Sequence, residues 1–277
     1  MRRLTLIALG VALAGAILAG ARGAHDTKRR ASPKPRPVET PRDEAAALPS
    51  EGVAEPTRAP EPIDIRARLL KLEGDEIAKI EEEFEARVIE DPAFALQLFD
   101  VFLSETDPVK VSFLQNVLAS HPPLRNDPEW LERFLKVAER DVRFDRRAAA
   151  LLFIQQAETI RPVHDRLLAL AEGDRELCAH ALVALRGLPD RRLPDPRLVA
   201  LAGRLAERET NPDVRGLAIR IEGNPQRAEK ALSDPERVVR MHACQVVTSR
   251  AALEAAIRTE SDPEVKQVME FHFAQLK

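Results

Sequence analysis

The chain has 277 residues, enough for one or two domains, and combines 44% hydrophobic residues with only 4% aromatics, no Tyr and a single Trp. That balance points to helices packed through Ala, Leu and Val rather than to an aromatic core. Lys and Arg number 42 against 45 Asp and Glu; ten basic and seven acidic residues fall in 1–62, which leaves 32 basic and 38 acidic in 63–277. An acidic folded part excludes the electrostatic footprint of a nucleic-acid binder, and no nucleic-acid partner is expected.

Residues 1–21 read as a signal peptide or a membrane anchor. Arg2 and Arg3 precede an uncharged run, Leu4 to Ala21, which closes on Ala19-Gly20-Ala21, small residues of the kind a signal peptidase accepts. Left uncut, the run is about long enough to span a bilayer, so membrane association through residues 1–21 is the alternative to cleavage. Basic residues from Arg22 to Arg36 oppose translocation of the chain beyond them and keep an inverted topology open. The expected location is the periplasm or cell envelope.

Residues 22–62 contain eight of the 21 prolines and no apolar periodicity, a composition too poor in apolar surface to offset ordering entropy, and are expected to form a disordered linker. From residue 63 to 277 the signals are helical. Ile77, Ile80, Phe84 and Val88 form one stripe with Glu81, Glu82 and Glu83 elsewhere. Helix starts are expected at Asp91-Pro92, Asp107-Pro108, Asp127-Pro128, Asp195-Pro196, Asn211-Pro212, Asn224-Pro225, Asp234-Pro235 and Asp262-Pro263. In each, the side chain can accept hydrogen bonds from the free N–H groups of the first turn, and proline has no N–H to leave unpaired. No segment alternates strictly between hairpin turns, so the expected class is all-α.

A repeat runs through this region. Six copies align on an apolar stripe: Val109-Lys110 with Phe113, Phe144-Asp145 with Ala148, Leu177-Cys178 with Ala181, Val214-Arg215 with Ala218, Val239-Arg240 with Ala243, and Val265-Lys266 with Met269. Periods of roughly 25 to 37 residues imply stacked two-helix units. A continuing stripe is broken at Glu222, and only Asn224 to Leu232 is available for one partner helix, so irregular stacking is expected there.

Val-Arg-x-x-Ala after an Asp-Pro or Asn-Pro turn resembles the second helix of HEAT repeats, especially the short bacterial kind seen also in phycobilisome lyases. The resemblance covers about residues 91–277. It implies a right-handed α-solenoid of about six antiparallel helix pairs and an inter-repeat polar ladder through Arg215 and Arg240. At Phe144-Asp145 and Leu177-Cys178 the basic residue is missing. The likeness is to a repeat, and no lyase activity is carried across.

Little in the sequence carries reaction chemistry. Cys178 with His180, and Cys244 with His242, stand two residues apart, about 200° around a helix, and cannot grip one ion. The two cysteines belong to separate copies, about 18 Å apart if helices stack at about 9 Å, too far for a disulfide. No catalytic, metal or cofactor residues are expected. On the six striped helices the outward positions are Val111, Gln115, Arg146, Ala150, Ala179, Val183, Gly216, Arg220, Met241, Gln245, Gln267 and Phe271. Of these, Arg146, Arg220, Met241, Gln245, Gln267 and Phe271 are the candidate partner-binding residues; the alternative is an inner layer buried nearly all round. The expected function is a monomeric, non-enzymatic scaffold or adaptor holding a protein or peptide on a concave face. A lyase-like or hydrolytic enzyme, and an assembly chaperone or spacer, are the alternatives.

Overall fold

A computed structural model of the protein describes residues 63–186 and 195–276, within the compact unit Glu61–Lys277. The expected signal or anchor and the linker lie outside the described residues. The described residues are all-helical, without a strand. They form α1 (Ile65–Leu69), α2 (Glu76–Glu90), α3 (Pro92–Ser104), α4 (Pro108–Ser120), α5 (Pro122–Arg125), α6 (Pro128–Arg140), α7 (Phe144–Gln155) and α8 (His164–Gly173). After these come α9 (Cys178–Arg186), α10 (Pro196–Arg208), α11 (Pro212–Glu222), α12 (Pro225–Ala231), α13 (Arg237–Cys244), α14 (Arg250–Thr259) and α15 (Pro263–Gln275). Among the described residues no helix is long and apolar enough to cross a membrane.

Seven of the eight expected start signals open a helix with proline in its first turn and the preceding Asp or Asn accepting a backbone N–H two residues on. The eighth, Asp234-Pro235, opens a turn instead. Its helix α13 begins at Arg237 behind Glu236, although Asp234 accepts the Glu236 N–H at 2.9 Å as the other caps do; it is also engaged by Arg215. Three connections repeat a longer signature, Glu-Thr-Asp-Pro at 105–108, Glu-Thr-Asn-Pro at 209–212 and Glu-Ser-Asp-Pro at 260–263. In each, the glutamate accepts the N–H of the capping residue, at 2.9, 3.0 and 2.8 Å. The turn is thus tied down from both sides.

Packing follows the pairs. α3 lies on α4, α6 on α7, α8 on α9, α10 on α11, α12 on α13 and α14 on α15, while the second members touch in sequence: α4 on α7, α7 on α9, α9 on α11, α11 on α13, α13 on α15. Each second helix therefore has apolar neighbours on up to three sides, which explains why Val117, Ile154, Leu185, Ala218, Val239 and Val265 are buried. Gly216 is where α11 comes close to α13: a Cβ there would stand 2.7 Å from His242 Cδ2 and 3.3 Å from the Val238 carbonyl oxygen.

Composition misleads in one respect. Average aromatic content is low, yet the aromatic side chains are concentrated before residue 160, and the core there is built on rings. Phe84 meets Phe94 and Phe113 edge-on. Phe134 is packed by Phe99, Phe102, Trp130 and Phe153. From 160 to 270 no Phe, Trp or Tyr occurs, and the core is the expected Leu, Ala, Val and Ile. The short α12 fills the squeezed interval, and Glu222, where the stripe breaks, turns its carboxylate to Arg227 Nε at 2.8 Å, an ion pair whose N–H is not aligned as a hydrogen bond.

Candidate functional site

Arginines at the starts of the second helices reach from one helix pair to the next. Arg215 donates to the Glu209 carbonyl at 3.0 Å within its own pair and to Asp234 Oδ1 at 3.1 Å in the following one. Arg240 repeats this one pair later: it donates to the carbonyls of Asp234 and Pro235 and, through two nitrogens, to Glu260 at 2.7 and 3.0 Å. That bidentate contact holds the Glu260 carboxyl below the usual carboxylate range.

A third rung, Arg147, escapes the repeat pattern drawn from the sequence. It donates to the Ala138 carbonyl of its own pair at 2.8 Å and to Asp174 of the next. Matching Arg147 to Arg215 matches Ala150, not Ala148, to Ala218, so this copy is displaced by two residues from the register that Phe144 suggests. The signal was present as Arg147-x-x-Ala150. Arg146 is occupied elsewhere, for its guanidinium bonds Asp141 at 2.8 and 3.1 Å and the carbonyls of Leu103 and Glu105 at 2.6 and 3.1 Å. Its guanidinium is thus engaged within the fold.

Cys178 occupies the place that Arg215 and Arg240 hold in their copies, and Glu209 the place of Glu260. No rung joins them. Burial pushes the Cys178 thiol up to about 11, with Glu209 and then Asp174 adding to it. The two glutamates should therefore respond differently to exchange for Gln. Glu260→Gln breaks a nearly buried charged contact and is expected to cost about 2 kcal/mol, whereas Glu209→Gln keeps its acceptor for the Asn211 N–H and should stay within about 0.5 kcal/mol of the parent. Urea unfolding of both variants checks this; equal losses would mean that Glu209 has a partner of the same worth.

Several outward positions prove to be internal. Val111, Gln115, Ala150 and Gly216 are buried, and the Gln115 Nε2 has no partner among the described residues. These outward positions of α4 and α7 therefore face inward, while Val109, Ser112, Asn116 and Ser120 form the exposed side of α4. Further along, exposure returns: Arg220, Met241 and Gln245 are half-buried, Gln267 is exposed and Phe271 is 53% exposed with its ring edge-on to His272. The side chains of these five make no hydrogen bond or ion pair among the described residues.

Charge is uneven on this free side. Arg186, in the last turn of α9, joins Arg220, in the last turn of α11; it was missed because it lies one turn beyond the positions compared, at i+7 from Ala179. Neither arginine has a hydrogen-bond or ion-pair partner among the described residues. Burial, and then the like charge of Arg186, bring the Arg220 guanidinium down to about 10. Beside them His242 is 2% exposed with an unpartnered Nδ1. Burial, Arg220 and Arg186 push its imidazole down to about 3, so it is neutral at physiological pH. Cys244, raised by burial to about 12, and His272, lowered by burial and Arg220, complete the cluster.

An open groove of about 560 Å³ lies between the first helices α3 and α6, lined by Phe99, Leu103, Glu132, Arg133, Lys136 and neighbours. Most of its charges are matched: Arg133 pairs with Glu129, Lys136 with Glu132, and Arg166 with Glu132 at 2.6 Å, which holds that carboxyl below the usual carboxylate range. Both cysteines are free and buried. Among the described residues no three His, Cys, Asp or Glu side chains gather as metal ligands would. Comparison with protein-family models, curated proteins and solved structures gives no match.

Proposed function

We propose that the protein is a non-enzymatic interaction scaffold of the bacterial cell envelope, whose helix pairs form a right-handed, HEAT-like α-solenoid tethered through residues 22–62 to an export signal or anchor at 1–21. It binds one protein or peptide across the free side of the second helices α9, α11, α13 and α15. The repeated contacts between second helices, and the arginine rungs that cross from pair to pair, support the solenoid. Stacks of this kind offer extended concave surfaces.

One observation carries the binding reading. Arg220, Met241, Gln245 and Phe271 stand on helices whose opposite sides are packed, yet they stay at least partly open to solvent with no side-chain hydrogen bond or ion pair among the described residues, and Arg, Met and aromatic side chains are those that interfaces favour. Cross-linking in intact cells, with the parent chain and with Arg220→Glu and Met241→Glu chains, tests it. The parent is expected to yield a specific adduct mapping to α11 and α13, reduced at least tenfold in either variant. Unchanged adducts in both variants would sink the proposal.

A further inference from the structure

We infer that Arg186 and Arg220 together receive two carboxylates of an acidic peptide lying extended across α9 and α11, an inference that rests on the binding-face reading above. An arginine in the described fold typically has an acceptor, or is fully solvated on an outer surface. Arg220 departs from this: half-buried, it has none among the described residues. The groups that act on it electrostatically are a second guanidinium, Arg186, and the Cys244 thiol; those acting on His242 are the same two arginines, and on His272 it is Arg220. No carboxylate appears in any of these sets. The cluster drawn from α9, α11, α13 and α15 is therefore cationic, and nothing in it answers the charge.

Both arginines sit in last turns, where the helix dipole is negative, and that offers them some compensation. The magnitudes decide against its being complete. Each helix end carries about half an elementary charge of negative sign, against a full positive charge on each guanidinium, so about one net positive charge remains. His242, almost wholly buried and with a free Nδ1, adds an unfilled polar position beside the pair. It is held against Gly216, where nothing larger than hydrogen fits without movement.

Placement on two neighbouring helices in contact favours two side-chain carboxylates over a single small anion. Packed helices stand about 8–10 Å apart. In an extended peptide, residues i and i+2 lie on one face about 6.6 Å apart. Two guanidinium forks on adjacent helices, each able to hold a carboxylate through paired N–H groups, can thus each take one side chain of a Glu-x-Glu sequence, the side chains spanning the remaining few ångströms. Met241 and Gln245 on α13 would flank the peptide.

The test uses the full chain and calorimetric titration with the N-acetylated, C-amidated pentapeptide Ala-Glu-Ala-Glu-Ala, its Gln counterpart and inorganic phosphate. The Glu peptide is expected to bind, the Gln peptide at least tenfold more weakly, and phosphate not to displace it at millimolar concentration. Arg186→Gln and Arg220→Gln should each weaken Glu-peptide binding at least tenfold, and Arg220→Lys, which keeps charge but loses the fork, should weaken it less. Thermal melts superimposing on the parent's exclude misfolding as the cause. Equal binding of the Gln peptide, phosphate binding as tight as the peptide's, or indifference to both arginine changes would overturn the inference. So would a tenfold gain in affinity when Glu39, Asp43, Glu44, Glu51 and Glu55 are all replaced by Gln, since the chain's own acidic stretch would then be the occupant. Adducts that vanish with Met241→Glu while no Glu peptide binds would leave the binding face standing and remove only the carboxylates.

Discussion

Phe134→Ala is expected to lower stability by about 3–5 kcal/mol, the range for removing a fully buried phenylalanine. The ring is wholly buried. It stands 5.1 Å from Phe99, 5.5 Å from Phe102 and 3.8 Å from Phe153, so one side chain joins α3, α6 and α7. Deleting it leaves a cavity walled by four aromatic rings, which cannot collapse without moving three helices. Phe271→Ala, at a half-exposed site, serves as the control and should change stability by less than about 1 kcal/mol. Denaturant titration with both variants reads the difference; comparable losses would show that the aromatic cluster does not anchor the first half of the chain.

Acid should destabilise the fold before its carboxylates titrate, through His242. In the unfolded chain this imidazole takes a proton near its ordinary value of about 6.5; in the folded chain it resists until about pH 3. The unfolded state therefore binds more protons throughout that window, and stability, complete above pH 6.5, falls as pH is lowered. The slope approaches 1.4 kcal/mol per pH unit, or about 2–3 kcal/mol lost by pH 4.5. Arg186, Arg220, Cys244 and His272 are the titratable or charged groups of the surrounding cluster. His180 and His272, also lowered by burial, add parallel slopes, so the informative quantity is the difference between the parent and a His242→Leu chain. Identical pH profiles would mean that His242 is solvated in the folded state.

Most of the architecture could be read from local chemistry. Asp-Pro and Asn-Pro pairs act within two residues of themselves, so seven of eight marked a real helix start. The eighth, Asp234-Pro235, makes the same local contact yet its helix starts two residues late, at Arg237. Registers anchored on Ala218 and Ala243 agree with the rungs of Arg215 and Arg240, while the register anchored on Phe144 slipped by two, since a bulky apolar residue outweighed the Arg147-x-x-Ala150 pattern. Of the candidate surface, Arg220, Met241, Gln245, Gln267 and Phe271 remain open to solvent to differing degrees, but Arg146 is engaged internally. Arg186 was overlooked because its importance lies in having no acceptor, and a missing partner is visible only once neighbouring helices are in place.

The vacant rung between Cys178 and Glu209 and the unanswered pair Arg186 and Arg220 belong to the same contact, α9 against α11. At one end of it the polar strut found between α7 and α9, α11 and α13, and α13 and α15 is missing; at the other, two like charges push apart. Among the described residues the polar contacts between these two pairs run instead through their first helices, where Arg197 meets Asp165 at 2.8 Å and Arg204 meets Glu172 at 2.6 Å. If the proposed peptide binds there, its two carboxylates would replace repulsion by attraction at the second helices, so occupancy would tighten the one side of this contact that the first helices do not already hold.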